Sequence, residues 1–153
     1  MKPPPPDLAA PDLTPWQASH ELALVVAPDG RVVAANPAFA RKVGLAPAAC
    51  LGRAAVSWCP PDEKTAFAAR LAALAARSAA GSHEQRWQSA QGWRWIEWET
   101  TPVPGGLRLI GRDVSRHRLA EDHLAKLSQA VEQAPVGILL TSPTGHVRYM
   151  NAA

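Results

Sequence analysis

The sequence predicts an α+β fold: a five-stranded antiparallel sheet with helices on one face, followed by a long linker helix. Three observations carry that prediction. Two β-rich runs flank a Pro-x-Gly turn near the start, in LALVVAPDGRVVAANPA (residues 22–38). Three further strand-like runs, 83–90, 93–103 and 107–114, are separated only by Gln91-Gly92 and Pro104-Gly105-Gly106, which are hairpin punctuation. Behind them RHRLAEDHLAKLSQAVEQA places apolar residues at alternating steps of three and four, a helical period.

The elements follow in order. MKPPPPDLAAPDLTP has four consecutive prolines, which enter neither a helix interior nor a central strand, so residues 1–18 read as a flexible Pro-rich tail. It has no apolar h-region and is not read as a signal peptide. Residues 19–114 form the domain. After the first hairpin, Asn36 caps a helix over 36–43 with Pro37 at its first position and with Phe39 and Val43 on one face. Gly44 ends it, and residues 46–50 make a brief turn. Asp62 is expected to cap a longer helix to about residue 79, in which Phe67, Leu71 and Leu74 recur at i, i+4, i+7, with Gly81 as its stop.

The first hairpin returns at the end of the chain. GILLTSPTGHVRYMNAA (residues 137–153) superposes without a gap on residues 22–38, so that Asn36 falls on Asn151, an offset of 115 residues. Leu24 matches Leu139, Pro28 matches Pro143, Gly30 matches Gly145 and Val32 matches Val147. The expected organisation is therefore a tail, a domain, a linker helix over 115–134 and, over 135–153, the truncated start of a second domain.

Composition narrows the function. With 47% hydrophobic and 19% charged residues the balance is globular. A net charge of +3 is mild, and Arg108, Arg112, Arg116 and Arg118 alternate with apolar or acidic neighbours, so no nucleic-acid partner is expected. No apolar run reaches the length of a membrane span, and a cytoplasmic location is expected. Cys50 and Cys59 lack zinc-ligand spacing and read as buried thiols; no metal site is expected. No Ser-His-Asp set, phosphate loop or carboxylate pair stands in a context for chemistry, so the chain is not read as an enzyme and carries no catalytic residue. Ser19-His20-Glu21-Leu22 echoes a phosphoacceptor box, but it runs straight into a strand rather than along a helix.

Taken together, LVVAPDGRVVAANPAF, the Leu51-Gly52-Arg53 triplet, the strand pair RWQSAQGWRWIEWETTPV and the ending GRDVSRHRLAE resemble the PAS sensor-domain family, with the PAC-type C-terminal half and a signalling helix. The resemblance covers residues 19–114, and the second copy begins near residue 136. It implies a sensory or dimerising module of a bacterial-type signalling protein, a histidine kinase or a diguanylate cyclase, whose output domain lies outside this chain. It also places Arg94, Ile96, Trp98 and Thr100 inward, toward Phe39, Val43, Phe67 and Leu71. With Leu24, Val26 and Leu109 on neighbouring strands, these residues other than Thr100 are the ligand-pocket candidates, the bland reading being that all are core; Arg94 would ask for an acidic ligand or would snorkel at the rim. No cofactor is identified. Flavin-photoadduct members carry a reactive Cys where this chain has Ala55, preceded by Ala54 where Asn would hold the ring. Haem members use a His on the long helix, and residues 62–80 contain none; His83 reads as a strand-edge residue.

The linker completes the reading. His117, Ala120, Leu124, Leu127, Val131 and Ala134 form a coiled-coil seam, so a homodimer through this helix is expected, with Leu124, Leu127 and Val131 as its centre. Leu119 falls off the seam and favours the alternative of a helix packed on its own sheet. Asp113, facing the positive end of the helix, and Ser115, as its cap, are the candidate relay from sheet to linker. The alternative function is a ligand-free dimerisation or spacer module.

Overall fold

The computed structural model describes residues 14–153. The chain divides into two units, one ending at Val114 and the other running Ser115–Ala153. Of the tail expected over 1–18, residues 1–13 lie outside the described residues. The last five are not tail: Thr14–Ala18 forms helix α1. Pro15 falls in its first turn, where a missing N–H costs no hydrogen bond.

In the first unit β1 (Leu22–Val26) and β2 (Val32–Ala35) form the opening hairpin. Helices α2 (Pro37–Val43), α3 (Pro47–Cys50) and α4 (Lys64–Arg77) follow, with a 3-10 turn at Ala55–Trp58 that periodicity did not reveal. Strands β3 (Gly81–Ser89), β4 (Gly92–Val103) and β5 (Gly106–Asp113) complete an antiparallel sheet of order β2-β1-β5-β4-β3. The five strands and the helices over them are the architecture the sequence predicts. Their joint core contains Leu24 and Val26 from β1, Phe39 from α2, Phe67 and Leu71 from α4, Ile96 and Trp98 from β4 and Leu109 from β5.

Local chemistry explains most boundaries. Asn36 Oδ1 accepts the Phe39 N–H at 2.9 Å, which caps α2 as expected. Gly44 ends that helix at φ +73°, a left-handed conformation that favours glycine, and a Cβ there would stand 3.0 Å from that of Ala90. Two expectations about α4 are corrected. Asp62 does not cap it: Arg86 of β3 draws off both nearby carboxylates, Nη2 donating to Asp62 Oδ2 at 3.0 Å and Nε to Glu63 Oε1 at 2.6 Å. The helix stops at Arg77 rather than near residue 79, with Ser78 taking the left-handed position at φ +46°. Gly81 instead opens β3, where a Cβ would meet Leu74 Cδ2 at 3.0 Å.

The second unit holds α5 (Ser115–Glu132) and a hairpin of β6 (Leu139–Thr141) and β7 (Val147–Met150). The hairpin repeats the first one pair by pair. Leu24↔Ala35, Val25↔Ala34 and Val26↔Val32 recur as Leu139↔Met150, Leu140↔Tyr149 and Thr141↔Val147, with the register irregularity at the same step. Leu24 and Val32 are 0% and 1% exposed, whereas their counterparts Leu139 and Val147 are 56% and 62% exposed. Among the described residues the second hairpin has no cover like that of the first.

Candidate functional site

Two places in the first unit carry the candidate functional residues: the interior of the sheet and the junction where β5 ends. Strand alternation aims His83, Gln85 and Trp87 of β3 and Ile96, Trp98 and Thr100 of β4 at the helices, and the register sets His83 opposite Trp98 and Trp87 opposite Arg94. The interior is filled by rings. Trp58 stacks on Trp87 with centroids 5.9 Å apart, Trp87 meets Trp98 at 4.6 Å, and Phe39 and Phe67 stand edge-on to Trp87, each at 5.8 Å. The gap that remains beside Phe39, Trp87, Ile96 and Trp98 measures about 10 Å³, the size of one water.

The ten pocket candidates therefore fall as follows. Leu24, Val26, Phe39, Phe67, Leu71, Ile96, Trp98 and Leu109 are all buried in one core, and Val43 packs half-buried against it. Arg94 sits half-buried near the start of β4, and its Nη2 donates to Gln91 Oε1 at 3.1 Å, not to a carboxylate. Sequence reasoning missed Trp58 and Trp87. Trp87 was readable, since alternation on β3 sets it on one face with Gln85 and Ser89, away from Arg86 and Gln88; Trp58 belongs to the 3-10 turn and has no period to betray it. Gly111 matters as much as any side chain here. It pairs with Trp98, and a Cβ on it would lie 2.5 Å from Trp98 Cζ3 and 2.9 Å from Ile96 Cγ2. The indole occupies the space a β5 side chain would need.

His83 lies on an edge strand, as the sequence implied, but its ring does not face outward. The ring turns inward against Phe67 at 5.7 Å, with both nitrogens buried and unpaired. Burial first, and then the charge of Arg70, lower its pKa to about 4; Gln85 lies near enough to oppose this without making a well-formed hydrogen bond. The folded value lies below the unfolded one of about 6.5, so the neutral ring is favoured by folding. Its stabilisation is complete above pH 6.5 and declines as pH falls toward 4. We expect a loss on the order of 2 kcal/mol across that window, after allowing for the ring's partial exposure. Urea midpoints at pH 7 and pH 4.5 check this: His83→Phe should flatten the difference seen in the wild type, and an unchanged pH slope would refute it.

At the junction, the last pair of the β4–β5 ladder is Ile96 with Asp113, and the Val114 N–H still donates to Trp95 O at 2.9 Å. Ser115 is already helical, so one residue separates strand from helix. The Asp113 carboxylate, expected to serve the positive end of the helix, is ion-paired with Lys42 Nζ of α2. That pair lies in a cleft of about 470 Å³ between α2, the β3–β4 turn and the end of β5, with Arg112 and Glu21 facing at 3.4 Å. A second groove, apolar and of about 270 Å³, runs between α4 and the β1–β2 turn past Pro28, Val56, Ala68 and Leu71.

Of the seam residues, Leu124 and Leu127 are exposed and Val131 half-buried; Leu119 is exposed as well. Cys50 and Cys59 are buried free thiols, and burial, aided by Glu63, pushes Cys59 up to about 12, so neither is a ready nucleophile. Among the described residues no group of three His, Cys, Asp or Glu side chains is placed to hold a metal ion. No helix among them is long and apolar enough to cross a membrane.

The family described as PAS fold matches residues 16–119. Among solved structures, the PAS domain of the quorum-sensing receptor RpfR from Cronobacter turicensis, in complex with BDSF, aligns with TM-score 0.60 and 15% identity over 63% of this chain and 95% of that one. A domain of a sensory box sensor histidine kinase/response regulator from Geobacter sulfurreducens aligns with TM-score 0.57 and 17% identity, over 65% and 88% of the two chains. An RNA-binding Light-Oxygen-Voltage receptor reaches 28% identity and TM-score 0.59 over 84% of this chain and 41% of that one. The comparison with curated proteins gives no match.

Proposed function

Because this chain belongs to the PAS fold family, we propose that it is a relay: a sensory module of a bacterial-type signal-transduction protein, a histidine kinase or a diguanylate cyclase. In this reading a change in the first unit shifts the last strands, and Asp113 and Ser115 pass that shift to α5. The observation that carries the proposal is the one-residue step from β5 to α5, with the last strand residue pinned to α2 by Lys42. A strand joined to a helix without slack cannot move alone. The module itself performs no chemistry; its work is mechanical. Its two free thiols suit the reducing cytoplasm.

The relay needs a helix that couples two copies. α5 offers Leu124 and Leu127 at 68% and 63% exposure, with Val131 on the same seam, which supports a homodimer through the linker. The chain is expected to be a dimer at micromolar concentration, and Leu124→Glu with Leu127→Glu is expected to raise the dissociation constant at least tenfold while the first unit melts as before. Sedimentation equilibrium checks this. A wild type that stays monomeric, or a variant that still dimerises, removes the dimeric relay.

A second reading, small-molecule sensing, is favoured by the apolar groove beside α4 and by another structure of the RpfR PAS domain, in complex with C12:0. The filled interior favours the mechanical reading.

A further inference from the structure

The duplication reaches further back than the side chains reveal, and one carboxamide marks it in each copy. In the first unit Asn36 is 0% exposed and fully engaged. Its Oδ1 accepts the Ala23 N–H at 3.0 Å and the Phe39 N–H at 2.9 Å, while its Nδ2 donates to Glu21 O at 2.9 Å and to Trp16 O, in α1, at 3.3 Å. In the second unit Asn151 is 4% exposed. Its Oδ1 accepts the Ile138 N–H at 2.7 Å, and its Nδ2 donates to Val136 O and to Val131 O, in α5, both at 3.0 Å. Ala23, Glu21 and Trp16 become Ile138, Val136 and Val131 under the same offset of 115 that relates Asn36 to Asn151. The turn bonds recur too: Gly30 N–H to Ala27 O and Gly145 N–H to Ser142 O, at 2.8 and 2.9 Å.

The short α1 is thus the positional equivalent of the last turn of α5. Trp16 and Val131 differ in size and shape, and the carboxamide uses only their backbone carbonyls. Such a contact constrains where a helix ends against the hairpin and leaves its sequence free. We infer that Asn36 and Asn151 are equivalent helix clamps, and that α5, the helix leaving the first repeat, is also the incoming helix of the second, received at Asn151. The statement about reception rests on the relay proposed above; the clamp itself does not. An asparagine suits the task because a carboxamide offers acceptor and donor together, and both are used in both copies. Aspartate keeps the acceptor and loses the donor.

Amide hydrogen exchange on the whole chain separates the possibilities. Asn151→Asp retains the acceptor for Ile138 but sets an oxygen against the Val131 and Val136 carbonyls; Asn151→Ala removes everything. In both variants the amides of Gln133 and Ala134 should exchange roughly five- to tenfold faster, whereas the Ile138 amide should do so only in Asn151→Ala. The melt of the first unit should not change, which excludes general unfolding. Unaltered exchange at Gln133 and Ala134 in both variants overturns the clamp. For reception, Asp113→Ala in the otherwise native chain should accelerate exchange over 133–138, and the same substitution beside Asn151→Asp should add nothing. A full response surviving in that double variant overturns Asn151 as the point of entry. No response to Asp113→Ala in either background overturns the relay, and the clamp then stands or falls on the first measurement alone.

Discussion

Trp98→Ala is expected to lower the stability of the first unit by about 3–5 kcal/mol, the cost of emptying a large aromatic site that its surroundings cannot fill. The residue is 0% exposed, its ring lies 4.6 Å from that of Trp87, and it is flanked in register by His83 on β3 and Gly111 on β5. The neighbours cannot collapse inward: Trp87 is already stacked on Trp58, and Gly111 has no side chain to extend. Against a typical total of about 5–15 kcal/mol, this leaves a marginal domain. Trp98→Phe should cost less than half as much. Urea denaturation followed by far-ultraviolet circular dichroism measures both. A loss below about 1 kcal/mol for the alanine variant would mean that the interior is looser than its ring contacts imply, and would reopen the case for a ligand there.

The second large effect is expected at Asn36. Replacing it by Ala strands two buried N–H donors, those of Ala23 and Phe39, and deprives two carbonyls of their partner. A buried backbone group left unpaired costs about 1–3 kcal/mol, and the helix cap is lost with it, so a loss on the order of 3 kcal/mol follows. For a domain of this size that is a Tm lower by more than about 10 °C, readable by calorimetry. Asn36→Asp should fall between wild type and Ala, because the acceptor survives. If Asp and Ala behave alike, the bonds donated by Nδ2 are the ones that count; if Ala is tolerated, the network is decorative and the inference drawn for Asn151 weakens with it.

Much of this architecture was legible in the residues themselves. The hairpins announced themselves through turn chemistry at Pro28-Asp29-Gly30, Gln91-Gly92 and Pro104-Gly105-Gly106, and alternation sorted the side chains of β1, β4 and β5 by face, while the family resemblance said which face of β4 turns inward. What escaped had physical reasons. α1 is a single helical turn beside a proline-rich run, too short for periodicity to register. The start of α4 was misjudged because Asp62 has the residue type of a cap but is drawn off by a guanidinium on a distant strand. Ring packing was invisible for the same reason, since stacking of Trp58 on Trp87 is a long-range fact. Lys42, the partner of Asp113, carries no motif at all. The clamp carbonyls of Trp16 and Val131 belong to the backbone, which every residue possesses, so no reading of side chains would find them.

The fit between Gly111 and Trp98 has an evolutionary consequence. Neither position drifts alone without cost: any side chain at 111 strikes the indole, and a smaller residue at 98 leaves a hole over a bare strand. A descendant that shrinks the tryptophan first, however, acquires room for a methyl group on β5 once the Ile96 Cγ2 methyl, 2.9 Å from that point, also gives way, and the second change then repairs part of the first. The two sites are inherited as one character, with the order of substitution fixed by sterics. Lineages that crossed this step would hold a different hydrophobic partner across the same pair of strands, and a return to glycine would be needed before the tryptophan could come back.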